Sequence, residues 1–105
     1  MVQDINWIKQ QILSENYQFR KHALERASER GIQPLDVKEA LLSGNIIEDY
    51  PDDQRGQSCL VCGKTVLGHY LHVVCGLFDD IVWIVTAYEP EREDWIDNIT
   101  RRSAQ

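Results

Sequence analysis

Tyr70-Leu71-His72-Val73-Val74-Cys75-Gly76-Leu77-Phe78-Asp79-Asp80-Ile81-Val82-Trp83-Ile84-Val85-Thr86-Ala87-Tyr88 decides the fold of this chain. Two runs rich in β-branched and aromatic residues flank the polar pair Asp79-Asp80. That pattern predicts two strands, Tyr70 to Phe78 and Ile81 to Tyr88, joined by a tight turn. Both runs are apolar at successive positions, so these strands are expected to be central and covered on both faces at least in part.

Upstream, Asn45 to Tyr50 and Ser58 to Val66 read as two more strands, the second interrupted near Gly63. The polar stretch Pro51-Asp52-Asp53-Gln54-Arg55-Gly56 is the loop between them. Before Gly44 the apolar period is helical. Ile5, Ile8, Ile12 and Leu13 mark a first helix from Asp4, its expected N-cap, to Ser14. Ala23, Leu24 and Ala27 mark a second, from about Phe19 to Arg30, stopped by Gly31. Val37, Leu41 and Leu42 mark a third, from Pro34 to Ser43, stopped by Gly44. Downstream, Glu91 to about Arg101 is expected to form a final helix. Glu91, Glu93 and Asp94 favour its N-terminal dipole, and Trp95, Ile96 and Ile99 form its docking edge. The expectation is α+β: N-terminal helices on a four-stranded antiparallel sheet with a C-terminal helix, in the order α-α-α-β-β-β-β-α.

At 105 residues, 43% hydrophobic and 27% charged, the chain is expected to form a single domain, 1–105. No apolar run approaches the ~20 residues of a membrane helix, and no secretory signal opens the sequence, so no membrane partner is expected. The three cysteines, Cys59, Cys62 and Cys75, read as reduced thiols of a cytoplasmic protein. A net charge of −6 argues against a generic nucleic-acid coat but leaves room for a local basic site.

One such site stands out. From Phe19 to Arg30 the four residues Arg20, Lys21, Arg26 and Arg30 outnumber Glu25 and Glu29. On a helix His22, Arg26 and Arg30 fall four apart on one face. The arrangement is a cationic stripe with a titratable head, suited to a phosphodiester backbone. The competing reading is a solvated face balanced by Glu25 and Glu29, or arginines pairing with the acidic C-terminal helix. A second candidate, Cys59-Leu-Val-Cys62 with His69 and His72, invites zinc. On a strand, however, residues three apart point to opposite faces, so buried thiols are the expected reading and no metal or cofactor is assigned. His72 and Tyr88 complete the candidates. A two-residue turn at Asp79-Asp80 pairs Phe78 with Ile81 and His72 with Ala87, which puts His72 and Tyr88 on opposite faces. A bulge or a longer loop would unite them.

The order His22-Ala-x-x-Arg26-x-x-x-Arg30-Gly31-Ile32, Asp36-Val37, Gly44-x-Ile46-Ile47, Tyr50-Pro51-Asp52-Asp53, Leu60-Val-x-Gly63, His72-Val73-Val74 and Ile84-Val-Thr86-x-Tyr88-x-Pro90 with Trp95 is more specific than any single piece. It resembles the family catalogued as domain of unknown function 4258, over about Phe19 to Arg101, with residues 1–18 an extra N-terminal helix. That family in turn resembles the BrnT-type and RelE-type toxins of bacterial toxin–antitoxin systems. The resemblance implies a metal-independent endoribonuclease with an RNA site on an exposed sheet face, RNA or ribosome as target, and an antitoxin protein as partner. On that reading His22, His72 and Tyr88 are the catalytic candidates and Arg26 and Arg30 bind RNA phosphate. The acidity supports an alternative: a non-catalytic interaction module of the same fold, acting as a homodimer or with a partner protein.

Overall fold

A computed structural model of the chain describes residues 4–54, 56–91 and 95–101, and every structural statement below concerns these residues. The three helices are α1 (Ile5–Leu13), α2 (Lys21–Glu29) and α3 (Pro34–Ser43), with the first strand lying between α1 and α2 in the chain. The strands are β1 (Tyr17–Phe19), β2 (Asn45–Tyr50), β3 (Ser58–Lys64), β4 (Tyr70–Phe78), β5 (Ile81–Tyr88), β6 (Trp95–Ile96) and β7 (Thr100–Arg101). Among the described residues no helix is long and apolar enough to cross a membrane.

The helices begin and end for the chemical reasons their sequences advertise. The Asp4 carboxylate accepts the Trp7 amide at 2.9 Å and caps α1. Pro34 opens α3, where the Asp36 carboxylate accepts the Gln33 amide at 2.8 Å. Gly31, at φ +76°, turns the chain out of α2 so that the Ile32 amide reaches back to the Ala27 carbonyl at 2.8 Å. Ile8, Ile12, Val37, Ala40 and Leu41 form the helical half of the core. Leu13 and Leu24, both part of the apolar helical period, are 67% and 44% exposed, each one position off the stripe that meets the core.

The sheet has five strands, not four, in the order β1-β5-β4-β3-β2. The meander β2–β5 is antiparallel, as its short polar connections predict. The extra strand, β1, runs parallel to β5, with Tyr17 opposite Val82 and Phe19 opposite Ile84. Phe19 therefore belongs to a strand rather than to α2, whose first residue is Lys21. Three residues are too few to show a period, and only tertiary pairing makes them a strand. Nor is β3 interrupted at Gly63. The strand passes through it because an added Cβ would lie 1.7 Å from the Ala40 carbonyl oxygen of α3, so the residue is glycine for close packing.

Alternation assigns the two faces. Cys59, Val61, Val73, Cys75, Val82 and Ile84 point into the helical core. Leu60, Cys62 and His72 are buried on the opposite face. There the expected C-terminal helix is replaced by the hairpin β6–β7, with Asp97 and Asn98 at φ +53° and +63° in its turn. Trp95 and Ile99 satisfy helical spacing, but the left-handed Asp-Asn pair reverses the chain and sends Trp95 onto the sheet, where it is 4% exposed. Glu93 and Asp94, assigned to the first turn of that helix, lie outside the described residues.

Candidate functional site

The stripe on α2 opens onto a cleft of about 540 Å³ on the sheet face away from α1 and α3. Arg20, Lys21, His22 and Arg26 form one wall. They are placed there by β1: the Arg20 amide donates to the Ile84 carbonyl at 2.9 Å, and α2 starts at the next residue. Ala27 packs into the core, and Ala23 is buried at the base of the cleft beside the charged positions. The facing wall is the β2–β3 loop with Asp53 and Gly56, and the floor includes Ser58, Gly76 and Phe78.

Electrostatically the cleft inverts the sign of the whole chain. Three permanent cations, Arg20, Lys21 and Arg26, share it with one carboxylate, Asp53. The Ser58 hydroxyl donates to Asp53 Oδ2 at 2.9 Å and aims that carboxylate. His22 is 73% exposed and lies 3.6 Å from Glu25 on the next turn. The cleft thus combines fixed positive charge for a phosphate with an imidazole and a carboxylate for moving protons.

Of the sequence candidates, His22 and Arg26 line this cleft together. Arg30 does not. It follows the last turn of α2, and its guanidinium donates to the Ala87 carbonyl at 2.8 Å and to Thr86 Oγ1 at 3.4 Å, tying α2 to β5. Sequence reading assigned no site role to Asp53 or Phe78. The Tyr50-Pro51-Asp52-Asp53 motif was the available signal for the first; nothing local marks the second.

His72 and Tyr88 are brought together, but away from the cleft. Phe78 does pair with Ile81, across a turn whose two residues, Asp79 and Asp80, both have positive φ. Between Val74↔Thr86 and Cys75↔Ile84, however, Val85 bulges, so His72 pairs with Tyr88 instead of Ala87. The His72 ring is completely buried. Its Nε2 lies 2.6 Å from the Asn98 carbonyl oxygen, which can only accept, so Nε2 carries the proton and Nδ1 accepts from the Tyr88 hydroxyl at 3.3 Å. The Trp95 ring meets the imidazole edge-on at 4.3 Å between centroids. Arg101 lies over the outer face of Trp95 at 4.5 Å and donates two bonds to the Glu48 carboxylate, at 3.1 and 3.3 Å. The Arg101 bonds hold Glu48 below the usual carboxylate range. Burial, then the neighbouring Glu48 acceptor, pushes Tyr50 up to about 12. These contacts fasten the C-terminal hairpin to the sheet.

Burial also lowers the His72 pKa below 6.5, outweighing the opposing pull of the Asn98 carbonyl and Glu48. The unfolded chain then binds more protons at this position than the folded one. Stability is accordingly greatest above the ordinary histidine value and falls as pH drops below it, toward the lower folded value. Thermal melts should show a lower Tm at about pH 5 than at about pH 7, with a smaller difference in His72→Phe, which cannot titrate. An equal difference in the variant would remove His72 as the cause.

The cysteines divide as strand geometry requires. Cys59 pairs with Cys75 on the helical face, while Cys62 pairs with His72 on the other. All three are free thiols. The Cys59 hydrogen bond, with burial, pushes the Cys75 thiol well above its ordinary value, and burial alone raises Cys62. Among the described residues no group of three or more histidine, cysteine or carboxylate side chains is arranged to hold a metal ion.

The family model described as Domain of unknown function (DUF4258) matches residues 19–89, which span α2 and its cationic wall, the meander, and both cleft walls. No curated protein and no solved structure matches the chain.

Proposed function

We propose, from the premise that this chain belongs to the DUF4258 family and that the family's description names no activity, that it binds and cleaves RNA in the α2 cleft. The observation that supports this reading is the cleft's composition: Lys21, Arg26 and Arg20 share its lining with Asp53 and with His22, which is 73% exposed. Cleavage of this kind uses the RNA's own 2′-hydroxyl. The Asp53 carboxylate takes its proton, the 2′-oxygen attacks phosphorus, and the cations hold the charge gathering on the phosphorane oxygens. His22 protonates the departing 5′-oxygen, leaving a 2′,3′-cyclic phosphate and a free 5′-hydroxyl. The BrnT- and RelE-type resemblance read from the sequence implies the same class of reaction, and an antitoxin would act by covering the cleft.

The test is induced expression of the wild type beside His22→Ala/Arg26→Ala, followed by growth, total RNA integrity and RNA end chemistry. The expected result is growth arrest and cyclic-phosphate ends with the wild type only. With purified protein, His22→Ala alone should slow cleavage roughly 10²–10⁴-fold. Normal growth and intact RNA with soluble wild type would refute the nuclease. The second reading, a protein-binding module, would then stand on Val66 and Leu67, which are 81% and 83% exposed in the β3–β4 turn.

A further inference from the structure

Phe78, on the floor of the cleft, lies beside Trp83, with the ring centroids 5.9 Å apart and the planes within 19° of parallel. The exposed Arg20 guanidinium sits over both, 4.6 Å from the Trp83 centroid and 5.4 Å from that of Phe78. The position of Phe78 is set by backbone on two sides. A Cβ added at Gly76 in the floor, or at Gly56 in the facing wall, would come within 2.8 Å of its ring. Gly56 has φ +116°, a conformation that side chains rarely adopt, so the loop closes on the ring only as glycine. Trp83 adds a buried indole Nε1 with no hydrogen-bond partner.

We propose that Arg20, Phe78 and Trp83 form a nucleobase subsite, so that the cleft takes single-stranded RNA with one base stacked on the planar Arg20 guanidinium that the two rings support, and the adjoining phosphate on Lys21 and Arg26. The inference rests on the RNA reading above and deepens it by naming the strandedness of the substrate. Stacking uses the π face that every base offers, but only an unpaired base can turn that face onto the guanidinium. Stacking also differs from phosphate binding in a measurable way, because it releases no counterions and is insensitive to salt.

The experiment is fluorescence anisotropy of a short labelled RNA, single-stranded or annealed to its complement, titrated with the full chain at several salt concentrations. The wild type should bind the single strand at least tenfold more tightly than the duplex. Phe78→Leu should lose about tenfold for the single strand with an unchanged salt slope, the size expected for one lost base stack. Lys21→Ala/Arg26→Ala should instead flatten the salt slope. Arg20→Lys, at an exposed position that does not threaten folding, keeps the charge but loses the planar guanidinium, and should weaken single-strand binding several-fold at constant slope. Equal affinity for the two RNAs, or Phe78→Leu and Arg20→Lys both within twofold of wild type, would overturn the subsite while leaving the RNA reading in place. Failure of the wild type to bind either RNA would overturn both.

Discussion

Gly63→Ala is expected to be the most destabilising single-methyl change in this protein. The new Cβ would lie 1.7 Å from the Ala40 carbonyl oxygen, 2.5 Å from its carbon and 2.8 Å from its Cα. All three are backbone atoms of a fully buried helical residue, so no side-chain rotation relieves the clash. Either α3 lifts from β3 or β3 buckles, and both open the core around Val37, Leu41 and Val61. Overpacking of a core costs about 1–3 kcal/mol when side chains can yield, and here none can, so a loss of about 3 kcal/mol or more is expected. Against a total of about 5–15 kcal/mol this is a large fraction. Urea denaturation should show the midpoint falling by about 1 M or more, given typical slopes. Gly31→Ala is the control. Nothing lies within 4 Å of its Cβ, but φ is +76°, so it should cost only about 1 kcal/mol. Equal midpoints for the two variants would show that α3 does not sit on β3 as closely as described.

The second large effect is expected from His72→Ala. The imidazole fills the space between Tyr88 and Trp95 and donates to the Asn98 carbonyl. Its truncation leaves a cavity under the hairpin and removes that donor, together costing about 3 kcal/mol. The loss should be local as well as global. Trp95, 4% exposed, depends on this ring for its seat, so its fluorescence should shift to the red before the main unfolding transition. His72→Phe preserves the ring contact and loses only the hydrogen bonds, with an expected cost of about 1–2 kcal/mol. If Phe proves as damaging as Ala, polar fastening outweighs packing. If neither variant moves the tryptophan emission, the hairpin is held by the Arg101–Glu48 bonds instead.

The helices and the meander were legible because their signals are local. Asp4, Gly31 and Pro34 mark helix ends by their own chemistry, and two long apolar runs around Asp79-Asp80 admit few readings other than paired strands. What escaped was set by distant contacts. Tyr17-Gln18-Phe19 becomes a strand only because β5 offers it an edge. The segment Trp95 to Arg101 has helical spacing, and its two-residue strands are too short to show a competing period. The site divides in the same way. His22 and Arg26 could be grouped because a helix fixes the spacing of neighbours. Arg30 shares that spacing, yet one further turn carries it from the cleft to the Ala87 carbonyl. Asp53 and Phe78 reach the cleft only through folding, and the bulge at Val85 reverses which face Tyr88 shares with His72 without leaving a mark in composition or period.

The parallel strand β1 also carries information about the order in which the protein is built. Strands β2 to β5 pair with sequence neighbours through short connections, so their loop-closure cost is small and they can nucleate early. Pairing Tyr17 with Val82 spans most of the chain and needs a finished β5 as its template. The start of α2, fixed by the Arg20–Ile84 hydrogen bond, must wait for that step. On this topology the cleft is expected to join an early wall to a late one, its cationic half being the last to lock. In hydrogen exchange the amides of β4 should open only with global unfolding, while that of Arg20 should exchange through a smaller, earlier opening. A partner that grips both walls would arrest that opening and stabilise the whole fold through its slowest-forming joint.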